Sequence, residues 1–450
     1  LSRLLEDLPK FFFLTCLAFT ILLGAVIYGA LGLPPVPQIK QAYRLLTGET
    51  DSLLEDARFH HLQPNRGQGS GVMVNLDPSD QSLVFMAGFF DGENQARMIA
   101  RDGTLVHKWS LDYFDHFPDQ ITRPCNVDGR LFVDTHGTLV TREGELVFNY
   151  EYCGVVKLDY CGVPKWTIGT LGHHSLIERE DGGYFGLGRD KWLASESPDR
   201  FPPFSTPGLD QKIWEDTLLW ISDTGEITRK VSIPQLMKDS GLEAILTATG
   251  DNFTKDNIAR YELVHSNKVA ELTSVYADAY PTLDAGDLAI SLRELNLILI
   301  IDPTTLTVKW YQIGPWLRQH DPEFRSDGRL SIFNNNTYLT AYSDEQTDLT
   351  VPRTTNIIAI DPVTRSTEVL FGEKPGQEML SVIRGQHELL PNDGMLITEF
   401  DAGRVIEVNS SREIVWEYVN EYDEDFVGEI VNADVYPADY FVADLPKCPS

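Results

Sequence analysis

The chain has 450 residues, with 37 Lys and Arg against 67 Asp and Glu, for a formal net charge of −30. That balance excludes nucleic acid as a partner, because phosphate recognition rests on clustered cations, and any anion site must be built from cations brought together locally. Its 42% hydrophobic content suffices for a substantial core, either one large repeat domain or two or three ordinary ones.

Residues 11–33, FFFLTCLAFTILLGAVIYGALGL, carry no charge and would span about 34 Å as a helix, enough to cross a bilayer core. No small-x-small cleavage site follows, so residues 1–36 are expected to be a retained, single-pass membrane anchor. Arg3 and Lys10 before the stretch balance Lys40 and Arg44 after it, which leaves the orientation open. Pro34, Pro35 and Pro37 end that helix, and Ile39, Tyr43 and Leu46 then recur at helical spacing up to about Phe59. A short helical neck and linker over 37–71 is expected.

From Val72 onward, to residue 450, the chain reads as strands and turns. One phrase recurs: a strand, an Asp-Gly-like turn, and a strand ending in an aromatic or large apolar residue. It occurs as RDGTLVHKW (101–109), LDYCGVPKW (158–166), SDTGEITRKV (222–231), IDPTTLTVKW (301–310), IDPVTRSTEVLF (360–371) and VNSSREIVW (408–416). Inner-strand phrases such as DGRLFVD (128–134) and SDGRLSIF (326–333) lie between them. A period of about 50 residues with several strands each predicts an all-β propeller rather than a sandwich. Trp109, Trp166, Trp310 and Trp416 are then structural, capping one blade against the next. Lys191–Ala259 breaks the rhythm with a Pro-rich loop and a helical stretch, an elaboration within one blade.

The cysteines point to compartment. Cys16 lies in the apolar stretch, and the other four, Cys125, Cys153, Cys161 and Cys448, allow three pairings and two disulfides in an oxidising compartment. No Cys-x-x-Cys spacing supports a thiolate zinc site.

Candidate chemistry sits where strands begin. His173-His174 follows a Gly-Thr-Leu-Gly turn, His320 lies between Gln319 and Asp321, and His387 follows Gly385-Gln386. Repetition at equivalent blade positions would aim these imidazoles at a central channel, where they can act as nucleophile, general acid or donor. Arg293 ends the apolar run Leu288–Leu292 as a lone cation. There is no His-x-x-x-His spacing, Gly-x-Ser-x-Gly elbow, P-loop or dinucleotide fingerprint, and no cofactor is expected.

Over roughly residues 70–440 the chain resembles the arylsulfotransferase-like family of bacterial propellers. The residues that carry the resemblance are His173-His174, Ser291-Leu292-Arg293, Gly314-Pro315-Trp316-Leu317 with Gln319-His320-Asp321, Phe333-Asn334-Asn335-Asn336, and the last-blade phrase from Gly403-Arg404 to Trp416-Glu417-Tyr418-Val419-Asn420. The resemblance implies six blades, an extracytoplasmic location and transfer of a sulfuryl group from an aryl sulfate to a phenol without a nucleotide donor, through a sulfated histidine. It makes His320 the nucleophile, with Arg293, His173 and His174 on the sulfuryl oxygens. Upstream of the arginine the family carries His-x-Asn followed by Asp and Pro; anchored on Asp278 and Pro281, this register reads Val275-Tyr276-Ala277. Two donors are then replaced by Val275 and Ala277, and losing even one costs about 10²–10³ in rate.

Two function classes follow. The first is a membrane-anchored, extracytoplasmic propeller with a partly degenerate site, acting as a binding or accessory subunit of a membrane complex. The second is an active sulfotransferase using aryl sulfate and phenol. A quinoprotein-type dehydrogenase would need a cofactor site that the sequence does not show.

Overall fold

A computed structural model describes residues 60–118, 124–125, 131–193, 212–246, 263–337, 354–441 and 447–448. The stretch 11–33 expected to span the membrane, and the helical part of the neck, lie outside the described residues. Among the described residues no helix is long and apolar enough to cross a membrane.

Six antiparallel sheets of four or five strands form six propeller blades. Their innermost strands are Ile430–Tyr436 (blade 1), Thr135–Val140 (blade 2), Gly172–Glu178 (blade 3), Ser266–Glu271 (blade 4), His320–Phe324 (blade 5) and Gln386–Leu390 (blade 6). The ring is closed twice. The C-terminal strand Ile430–Tyr436 is the inner edge of blade 1, paired with Leu83–Phe90, while the early strand Gly71–Asn75 pairs with Ile414–Val419 on the outer edge of blade 6. Each closure joins strands far apart in sequence, whereas blades 2 to 5 are each built from four consecutive strands.

The second and third strands of each blade are apolar on both faces because each blade is covered on both sides. Leu297, Leu299 and Ile301 pack towards blade 3, and the alternate residues Ile298 and Ile300 pack towards blade 5. Val84 and Met86 face blade 6 in the same way, while Phe85 and Ala87 face blade 2. The core is therefore a ring of interblade clusters, and sequence alternation is lost where burial is two-sided.

The tryptophans cap blades as expected, through one repeated bond. The indole N–H of Trp109 donates to the Asp159 carbonyl, Trp166 to Asp223, Trp310 to Pro362 and Trp416 to Arg101, each acceptor lying in the outer hairpin turn of the next blade. At the other two interfaces Arg229 donates to the Pro303 carbonyl and Gln377 to that of Arg412. Asp side chains hold these turns, as where Asp302 accepts from the Thr304 amide at 2.7 Å.

Two disulfides form, Cys125–Cys153 and Cys161–Cys448, one of the three pairings that the sequence left open. The second ties the segment after the closing strand to blade 2.

The compact unit begins at His60 rather than Val72. Residues 62–64 form a strand against Phe426–Gly428, and the buried His61 bonds Glu429 at 2.8 Å. The described end of the expected linker is thus part of the propeller.

Candidate active site

Five of the six innermost strands begin with a register shift: at His136/Leu139, His173/Leu176, Ser266/Lys268, His320/Pro322 and Ile430/Asn432. An extra residue in one strand bends it and re-aims its side chains. Gly137, His174 and Asp321, inside those shifts, have φ of 48°, 52° and 51°. For His174 and Asp321 this left-handed backbone is strain that a β-carbon resists, and such strain concentrates at functional positions. The bulges turn histidines from blades 2, 3 and 5 towards the axis, where His136, His174 and His320 line one central cavity of about 380 Å³ with Asn267, Arg384 and His387.

His320 is oriented by its ring nitrogen Nδ1, which donates to Asn335 Oδ1 at 2.7 Å. Asn335 is fully buried and is itself fixed by donating to the Ser381 and Arg384 carbonyls at 2.9 and 2.8 Å. Because Nδ1 carries the proton, Nε2 presents a lone pair, and among the described residues it has no hydrogen-bond partner. Burial, and then the charge of Arg293, push the imidazole down to about 3, so it is neutral at physiological pH.

The residues around His320 set its place. Gln319 donates to Ser291 Oγ and to the Leu292 and Leu297 carbonyls, and its own carbonyl accepts from Asn267 Nδ2 at 2.8 Å. The Trp316 indole donates to the Asn296 carbonyl, and Asn296 Oδ1 accepts from the Arg318 amide. Asp321 accepts from the His387 amide at 2.6 Å and pairs with Lys268 at 2.6 Å, joining blades 4, 5 and 6. The Gln-His-Asp phrase is thus one reactive group between two clamps.

A second array runs through blades 3 and 4. Arg293 Nη2 meets His265 Nδ1 at 3.2 Å, His265 Nε2 meets His174 Nε2 at 3.2 Å, His174 Nδ1 meets His173 Nδ1 at 3.0 Å, and His173 Nε2 meets the Gly188 carbonyl at 3.0 Å. Guanidinium only donates and carbonyl only accepts, so one proton arrangement satisfies every contact. Arg293 donates to His265, His265 to His174, His174 to His173, and His173 to Gly188. Burial lowers His174, as do its neighbours His136 and His265; burial also lowers His173, against the opposing pull of Asp216. Both are neutral, as the chain requires.

These contacts revise three expectations. Arg293 and His320 do not line the same cavity; Arg293 acts on His320 by charge, from behind His265. His173 is fully buried, with both nitrogens engaged within the protein, so it orients His174 and leaves the cavity to it. The Val275 register is also wrong. Val275 is 78% exposed, and Ala277 lies in the short helical turn Ala277–Ala279 packed on the apolar cluster between blades 4 and 5. A His-x-Asn triplet does occur at His265-Ser266-Asn267, where blade 4 enters the channel. Anchoring on Asp278 and Pro281 displaced it by ten residues; the signal overlooked was a His at the start of an inner strand, as in blades 3, 5 and 6.

Sequence reasoning also missed His136, Arg384, Lys268 and the channel carboxylates. His136 Nε2 has no hydrogen-bond partner among the described residues, and burial, then Arg384, push the ring well below its ordinary range. Arg384 binds Asp134 at 2.5 Å and Glu151 at 3.0 Å; burial pushes Glu151 up to about 7. His136, Glu151 and His174 have ligand atoms close enough for a metal, as do His60, His61 and Asp134. The His174 nitrogens already serve the imidazole chain, and Arg384 already occupies both carboxylates. A metal is therefore not needed to satisfy either group.

The sequence pattern of the family described as Arylsulfotransferase (ASST) matches residues 202–421. No curated protein matches the chain in sequence. Similar solved structures include a protein of unknown function from Bacteroides caccae, 11% identical, covering 79% of this chain and 99% of that one, with a TM-score of 0.48. Virginiamycin B lyase from Staphylococcus aureus is 12% identical, covering 80% of this chain and 88% of that one, at 0.40. AztD from Citrobacter koseri is 10% identical, covering 79% and 98%, at 0.36.

Proposed function

We propose, on the match of residues 202–421 to the arylsulfotransferase family, that the chain is an active enzyme, moving a sulfuryl group from an aryl sulfate to a phenol through His320. The observation that carries this reading is the His320 lone pair: a neutral, buried imidazole whose Nδ1 is held by Asn335 and whose Nε2 has no partner among the described residues, in a residue lining the cavity. In the first half-reaction Nε2 bonds to sulfur as the sulfur–oxygen bond to the aryl group breaks, and the departing phenoxide takes a proton. In the second, a phenol oxygen bonds to the same sulfur, its proton goes to a base, and the nitrogen–sulfur bond breaks. The phenoxide takes its proton from solvent; His136, neutral in the same cavity, with no hydrogen bond at Nε2 among the described residues and Glu151 Oε2 3.7 Å away, is suited to accept the phenol's proton in the second half-reaction.

Charge on the sulfuryl oxygens is met by donors held in place beforehand, which is where preorganised sites gain most. Asn267, its amide fixed by donating to the Gln319 carbonyl, lines the cavity beside His320 with a second amide hydrogen to give; His174 lines it too but commits its one N–H to His173, and Arg293 supplies positive charge from behind His265. The binding or accessory reading rested on Val275 and Ala277, neither of which occupies the site.

We further place the propeller on the extracytoplasmic side, held by residues 11–33. Two disulfides support an oxidising compartment, and the uncharged stretch supports the anchor. Protease added to intact cells should remove the propeller; full protection would overturn this placement.

The catalytic reading is tested with a chromogenic aryl sulfate and excess phenol. The expected result is ping-pong kinetics and, without acceptor, one sulfuryl group per chain by intact mass, lost in His320→Ala. Turnover by His320→Ala at the unmodified rate would overturn it.

A further inference from the structure

The cavity changes character along its length. Near His320 it is bordered by imidazole, Asn267 and Arg384, but further along the same wall it carries Glu178, Glu323, Glu388 and Asp434. Lys268 is the cation among them, and it is committed to Asp321 at 2.6 Å and Glu323 at 3.1 Å. Glu388 accepts from the Val435 amide and Asp434 from Asn432 Nδ2. Among the described residues no Lys, Arg or His forms an ion pair with Glu178, Glu388 or Asp434. Burial and mutual repulsion raise Glu388 well above its ordinary range, and burial, joined by the nearby Asp321 and Glu323 carboxylates, raises Asp434 to about 7. A second feature asks for a donor. Thr138 Oγ1 and Asn267 Oδ1, in residues 5% exposed that line this cavity, have no hydrogen-bond partner among the described residues.

We propose, on the footing of the sulfuryl-transfer reading, that the phenol this chain exchanges carries a protonated amine, and that Glu388 and Asp434 hold the ammonium group. An inorganic cation fits less well. These carboxylates do not converge as a ligand shell, since the described groups with metal-compatible spacing include none of them. The wall around them is aromatic, with Tyr276, Phe324, Tyr436 and Tyr440, and so suits an aryl cation. The acidic wall starts on the strand of His320 itself: Glu323 follows it by three residues across the bulge, a separation of less than about 10 Å, the scale of a phenol ring with a short side chain.

The test compares three acceptors on the full-length chain with 4-nitrophenyl sulfate as donor: tyramine, the neutral 4-ethylphenol and the anionic 3-(4-hydroxyphenyl)propionate. The expected kcat/KM order is tyramine above 4-ethylphenol by at least about 10-fold, with the anion lowest. In Glu388→Gln/Asp434→Asn the tyramine to 4-ethylphenol ratio should fall towards one. Wild-type protein that treats the three alike, or prefers the anion, overturns the proposal without reference to any variant. If no phenol is sulfated, the sulfuryl-transfer reading falls by itself, and calorimetry on the same protein decides the ammonium site. Tyramine binding at least about 10-fold tighter than 4-ethylphenol sustains it; equal binding, or tight calcium binding without discrimination between the two phenols, overturns it.

Discussion

Replacing His265 by Ala is the sharpest test of how the site is built. His265 stands between Arg293 and His174, accepting from the guanidinium and donating to the imidazole, both at 3.2 Å. Its removal takes away the donor at His174 Nε2, so that only the bond to His173 still orients that ring, and among the described residues it leaves Arg293 with Glu294 as its hydrogen-bonded partner at 3.0 Å. Loss of one preorganised donor to developing charge costs about 10²–10³ in kcat, or about 2.7–4 kcal/mol at the transition state. Because Arg293 and His174 would each lose a contact, the upper end of that range is expected. Val275→His, at a position 78% exposed, should change stability by less than about 0.5 kcal/mol and leave turnover within about twofold. Both variants would be assayed by release of 4-nitrophenol from 4-nitrophenyl sulfate with excess phenol, with thermal melts run beside them to separate misfolding from lost chemistry. A His265→Ala enzyme within threefold of wild type, or a tenfold gain in Val275→His, would refute the assignment of the His-x-Asn motif to 265–267.

Further outcomes follow from the same geometry. Asn335→Ala frees the His320 ring that Asn335 holds at 2.7 Å and should lower kcat about 10–100-fold with little change in KM, while His320→Ala abolishes sulfo-enzyme formation. His320 titrates at about 3 in the folded protein and near 6.5 unfolded, so the unfolded chain takes up the proton first as pH falls. Stability should therefore drop between about pH 6.5 and 3, by an upper bound on the order of 5 kcal/mol from this group, and melts of His320→Gln should show a shallower acid slope. Trp310→Phe deletes the 2.8 Å bond to Pro362 and should cost about 1 kcal/mol or more in chemical denaturation. Cys448→Ser opens the link to Cys161 and should cost about 2–5 kcal/mol by the same measurement.

The blades were legible because their signals are local. Asp302, Asp361 and Asn409 hold their own turns by side-chain bonds to amides two to four residues ahead, so each turn can be read within a few positions. The tryptophans were legible for a related reason, since a large aromatic on an outer strand, as in four of the six blades, has one productive place to go. His320 stood out by its neighbours, for Gln319 and Asp321 are the two clamps that hold its strand. What bends those strands was not legible. A bulge has no residue signature when the residue in the left-handed region is His174 or Asp321 rather than Gly.

The misplaced motif has the same origin. In a flat strand, residues two apart share a face, and a motif can be sought by counting. The register shift between Ser266 and Lys268 breaks that count just where His265 and Asn267 turn into the site. Nearby Asp278 and Pro281 offer a regular frame that points Val275 at solvent instead. Position along the ring is the more durable coordinate: each inner strand of blades 2 to 6 starts within one residue of a histidine, at His136, His173, His265, His320 and His387. Blade 1 departs from that series because its inner strand is supplied by the far end of the chain, and it contributes Glu429 to His61 instead. The axial histidines therefore belong to the repeat, whereas what distinguishes His320 is Asn335, the residue just after the next strand, which under the proposed reading turns a repeated structural residue into a nucleophile.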